Sequence, residues 1–311
     1  MIQDIASSIG KLLTSSLFLI KSAEDLSLLN ELVALAKTVL SKSKSSSSVV
    51  QMLTFVEKVI DLYELNDTTH LMIKDTLLLS YDAILRTEKA EGADNAQFIV
   101  ATMFKPLSAC AKRHPLLLLT LARGDKEVGE VIHSCIEASP CVLKSNEPDI
   151  IKVTLNFLAV LKSSLESISI QSLEDEEKKV IVPVIDYINR SFRGDILISL
   201  VTLSCCGICL HLSKFSSLIQ QILFSSQWQD VEASISAALC TNQFLLGDEV
   251  KRVAVTTFER CTRNKYPAST FTDMITEMWN MHQTDDTGAI AGGEAVLQFV
   301  KKFNEGMTTL T

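Results

Sequence analysis

Apolar residues recur three and four positions apart along nearly the whole chain, the spacing that gathers them on one face of an α-helix. Leu29, Leu32, Val33, Ala36 and Leu40 make one such stripe; Val49, Leu53, Val56, Ile60 and Tyr63 make the next. Ile151, Leu155, Leu158, Leu161 and Leu165 repeat it later in the chain. No separate strand region interrupts the pattern. The spacing predicts helices at Ile2–Lys21, Ala23–Leu40, Val49–Tyr63, Leu71–Leu85, Ala96–Arg113, Pro115–Ala122, Asp125–Ala138 and Ile150–Leu165. A further helix opens with the charged stretch Glu174–Lys179. Others follow at Asp195–Leu210, Lys214–Phe224, Val231–Thr241, Glu249–Thr262, Ser269–Met281 and Ala289–Phe303.

The polar positions supply the punctuation. Gly-Asp occurs three times between apolar stretches, at Gly124-Asp125, Gly194-Asp195 and Gly247-Asp248. Gly can close one helix in the left-handed conformation, and Asp can accept the free N–H groups that open the next. Ser22 with Asp25 resembles a capping box. His114-Pro115 marks a corner, because Pro pushes the residue before it out of the helical region. Arg86–Asn95 is expected to be a polar turn and Ser139-Pro140 a break. Pro148, flanked by Asn146 and Asp149, suits a first helical position, whereas Pro183 should kink the helix that contains it. Ser41–Ser48 reads as a low-complexity inter-helix loop, with a phosphorylated regulatory loop as the alternative.

Counted together, these elements make about fifteen helices, or about seven hairpins of roughly 40–47 residues, the period of HEAT and armadillo arrays. The predicted fold is therefore all-α: an α-α superhelix, or solenoid, of HEAT/ARM-like helical hairpins. Residues 1–48 form an N-terminal hairpin with its Ser-rich loop, 49–303 form continuous repeats, and 304–311 form a frayed tail.

Composition narrows the function classes. Hydrophobic residues are 47% of the chain but aromatics only 6%, so the core is aliphatic. The formal charge of −8 disfavours nucleic acid, which needs a basic face, and suits a basic protein partner. The eight cysteines are scattered through apolar runs, and no secretory leader precedes them. Buried thiols inside a reducing compartment are the expectation. Ile196–Ser213 lacks permanent charge over a length that reaches the lower edge of a bilayer span. Its Ser199, Thr202, Ser204, Gly207 and His211 favour a buried helix, so no membrane insertion is expected.

Candidate chemistry is sparse. Cys205, Cys206, Cys209 and His211 form the one metal-like cluster, but ligands along a single helix cannot easily wrap a tetrahedral ion. Cys205 and Cys209 are expected to be buried, reduced and metal-free. Arg123-Gly124-Asp125 and Arg193-Gly194-Asp195 spell an integrin-recognition tripeptide, yet both sit at predicted helix joints. Gly288, Gly292 and Gly293 lack the Lys-Ser/Thr pair of a phosphate loop. The five His residues stand at no recognisable catalytic spacing. No catalytic residue, cofactor or metal is predicted. Trp228 is the one candidate partner-binding residue, as an indole in the polar turn Gln227–Asp230; packing between hairpins is its competing reading.

At the level of pattern, Ala109-Cys110-Ala111-Lys112-Arg113-His114-Pro115 followed by Leu116–Leu119 resembles a unit in nuclear transport receptors of the importin-β superfamily. The resemblance is to their C-terminal third. Val128–Ala138, Ile150–Leu165 and Leu210–Phe215 follow in the order seen there, and Phe271–Met278 resembles the terminal helix. The transportin-SR and importin-thirteen branch is the most similar, over residues 70–282. The resemblance implies protein cargo as the partner and a location in nucleus and cytoplasm. Ran GTPase is a partner only if an N-terminal region absent from this chain is present in the full protein. No cargo residue of the family matches residue by residue. A general HEAT scaffold is the alternative function, and an enzyme with a dispersed helical site a more distant one.

Overall fold

The computed structural model describes residues 26–42, 46–62, 67–91, 93–145, 147–205 and 212–240. It also describes residue 8, residues 11–12, and a few helical positions within 255–263. Of the predicted helix Ile2–Lys21 the described residues are 8, 11 and 12, all helical; those at Ser269–Met281 and Ala289–Phe303 lie outside the described residues, as do the Ser22/Asp25 start and Gly247-Asp248. Among the described residues there is no strand, and the all-α class is as expected.

Among the described residues, eleven α-helices follow one another. They are α1 (Leu26–Lys42), α2 (Ser46–Leu62), α3 (Asp67–Glu91), α4 (Ala93–Arg113), α5 (Pro115–Gly124), α6 (Lys126–Val142), α7 (Pro148–Ser167) and α8 (Asp175–Ser191). After a π segment at Phe192–Ile196 come α9 (Leu197–Cys205), α10 (Leu212–Phe224) and α11 (Trp228–Leu239). Contacts cluster in two compact units, Met1–Tyr187 and Ile188–Thr311.

In the first unit, neighbours in sequence pack as hairpins, and alternate helices stack on one another. Helix α2 packs on α4 and α4 on α7, while α1 packs on α3 and α3 on α6. Two layers result. Within a layer the chain direction repeats: Lys74 and Tyr81 of α3 meet Asp125, just before α6, and Ser134 in α6, the numbers rising together. The first layer buries one large aromatic per helix: Phe55 in α2, Phe104 in α4 and Phe157 in α7. Phe104 and Phe157 stack with ring centroids 4.8 Å apart and planes 4° from parallel. Helix α5 is an extra short element inserted between two hairpins, bounded by the one-residue joints His114 and Asp125.

Polar residues enter this core by satisfying themselves within their own helices. The hydroxyls of Ser80, Ser139 and Thr154 donate to the carbonyls of Thr76, Cys135 and Ile150, at 2.6, 2.9 and 2.8 Å. A buried hydroxyl without a partner would cost about 1–3 kcal/mol, so this return bond is what lets Ser and Thr occupy apolar stripes.

In the second unit α9 packs against α10 and α11. Leu197, Leu200, Val201, Phe215, Ile219 and Ile235 are among its buried residues. The hydroxyls of Ser225 and Ser226 donate to the carbonyls of Gln221 and Ile222 at the end of α10.

Several local expectations are corrected. Arg86–Glu91 is the end of α3, not a turn; the Arg86 guanidinium donates to the Leu40 carbonyl of α1, a tertiary contact that periodicity does not register. Ser139-Pro140 does not break α6, which runs on to Val142. The Ser-rich loop is narrower than Ser41–Ser48: Ser41 and Lys42 end α1, and Ser46–Ser48 open α2 with Ser48 buried. Gly124 is the last residue of α5 and is not left-handed. Phe192–Ile196 holds Gly194 at φ −95°, ψ −117°, also not left-handed, where helical geometry breaks. Pro148 opens α7, as the sequence predicts, and Pro183 lies inside α8.

Candidate protein-binding surface

Alternate stacking leaves each layer an outer face whose residues come from several helices. On the face of α1, α3 and α6, charges are tied across helices. The Lys37 ammonium of α1 meets Asp75 of α3 at 2.7 Å, and the adjacent Lys74 pairs with Asp125. One rung therefore leads to the next through two consecutive residues of α3. Tyr81 donates to the Ser134 hydroxyl at 3.3 Å, and Tyr187 of α8 donates to Glu137 of α6 at 2.8 Å. The His133 ring stacks on Tyr187 at 4.2 Å.

Asp125 is the most heavily used of these residues. Its backbone is extended at φ −120°, ψ 114°, and its N–H closes α5 by donating to Leu121. Its side chain opens α6 by accepting from the N–H groups of Glu127 and Val128 at 3.1 and 3.2 Å. The hydrogen bond from Lys74, then the bond from Val128, hold the carboxyl below its ordinary value; the same Lys74–Asp125 bond holds the ammonium above its own. Both shifts arise from the same ion pair. The joint is so tight that α6 needs Gly129: a Cβ there would lie 2.5 Å from the Ala122 carbonyl oxygen.

On the other layer, the Arg113 guanidinium at the end of α4 donates to the Asp61 carbonyl near the end of α2. Burial pushes the Glu57 carboxyl of α2 up, with Lys58 and Lys105 opposing the shift and Asp61 adding to it. In α7 the buried Lys162 reaches Glu166 at 3.4 Å.

The residues singled out from sequence are distributed, not gathered. Arg123-Gly124-Asp125 is a helix joint, with Asp125 as the cap that the sequence predicts. Arg193 donates to Asp230 at 2.8 Å and to the Asn189 carbonyl at 3.2 Å. Trp228 is 7% exposed in the first turn of α11, so packing describes it and an exposed anchor does not. Cys206, Cys209 and His211 lie outside the described residues, as does the Cys205 side chain. Among the described residues, no three His, Cys, Asp or Glu side chains could share a metal ion, and no helix is long and apolar enough to cross a membrane. Cys110 and Cys135 are buried, and desolvation raises both thiols to about 12, which leaves them protonated and unreactive.

Sequence reasoning missed Lys74, Gly129, and the Tyr81–Ser134 and Tyr187–Glu137 bridges. Gly129 carried a signal, since a lone Gly inside a helical pattern costs about 1 kcal/mol against Ala and calls for a packing reason. The others carried none, because their partners are distant in the chain. The stretch 109–119 spans the end of α4, His114 and the start of α5, 128–138 lies in α6, and 150–165 lies in α7. Phe271–Met278 lies outside the described residues. No family model matches the chain, and no curated protein or solved structure matches it either.

Proposed function

We propose that this chain is a protein-binding helical-repeat module of the nuclear transport receptor type, holding protein cargo across several hairpins, with no catalytic role. The observation that carries the binding reading is the alternate stacking of α1 on α3 on α6 and of α2 on α4 on α7. Such stacking builds surface from successive repeats, which is how helical arrays engage other proteins. The transport reading adds the resemblance of residues 109–119, 128–138, 150–165, 210–215 and 271–278 to the importin-β superfamily. It implies a location in nucleus and cytoplasm, and Ran as a partner only where the family's N-terminal Ran-binding region is also present. The charge of −8 favours basic cargo over nucleic acid or a membrane.

The test is a nuclear import assay in permeabilised cells. The chain is fused to an inert carrier too large to diffuse through nuclear pores. Nuclear accumulation of the fusion, and not of the carrier alone, is the expected result. Exclusion from nuclei in the presence of cytosol and energy would remove the transport reading and leave a general scaffold.

A further inference from the structure

We draw no further inference here: the strongest candidate, the exposed leucines Leu71 and Leu85 on one face of α3, is an unpartnered apolar face, and nothing in the structure shows what covers it.

Discussion

Asp125 carries more of the structure than any neighbour, because one carboxylate caps α6 and holds Lys74 of α3. Its folded pKa is depressed below the ordinary 3.8. The stability it contributes is therefore present above that value and lost as pH falls through the folded one. Lys74 is raised above 10.5, so its contribution is complete below that value and lost as pH rises through the folded one. Asp125→Asn keeps a capping oxygen but removes the ion pair, whereas Asp125→Ala removes both. Thermal unfolding at neutral pH should rank wild type above Asn and Asn above Ala, with the Asn deficit vanishing in acid; an acid-independent deficit would refute the ion pair. Gly129→Ala gains helix propensity but drives a Cβ into a backbone carbonyl that cannot rotate away. Overpacking of this kind costs about 1–3 kcal/mol, so a lower urea midpoint is expected. Gly124→Ala meets open space and should leave the midpoint unchanged or raise it. Equal effects at both positions would contradict the close approach.

His114 adds a dependence of opposite chemical origin. Burial, then the Arg113 charge, lowers its pKa from 6.5, and its Nε2 is buried without a hydrogen-bond partner. The unfolded chain thus binds the proton more readily than the folded one. Stability should fall as pH drops below 6.5 and through the lower folded value. Denaturation of wild type and His114→Asn at about pH 7.5 and about pH 5 should show a larger acid loss in wild type. Identical losses would mean that the imidazole is freely hydrated.

Helices in this protein are held by what packs on them. Helix α4 contains Pro106 and still runs from Ala93 to Arg113, although an interior Pro costs a helix about 3 kcal/mol. Contacts with α2, α3 and α7 offset that cost. The Phe104–Phe157 stack is the aromatic part of the α4–α7 contact, and both rings are buried. Phe157→Ala should cost about 3–5 kcal/mol. A double-mutant cycle with Phe104→Leu should return about 0.5–1.5 kcal/mol of coupling, measured by urea unfolding. Additive single effects would show that the rings contribute only by area.

At the level of the entire chain, binding should draw on several hairpins together and should weaken with salt, because exposed charges are screened. The transport reading places these residues in the C-terminal third of a receptor, away from the family's chief Ran contacts. A pull-down with GTP-loaded Ran at physiological salt is therefore expected to show weak binding or none. Submicromolar binding by this chain alone would mean that the segment, or the family, has been misplaced.

The all-helical class, the His114-Pro115 corner, the Asp125 cap and the Pro148 start were legible in the amino-acid sequence. Each depends on groups a few residues apart: a periodic apolar stripe, a ring that fixes φ, a carboxylate within reach of the N–H groups two and three residues on. The ends of α3 and α6, the pairing of Lys74 with Asp125 and the backbone that Gly129 meets were not legible. Those rest on which helix lies beside which. Arg86 at the end of α3 donates to the Leu40 carbonyl of α1, and Gly129 is required because Ala122 has been folded against it. Local chemistry writes the helices; contacts between residues far apart in the chain choose where they stop and how they stack.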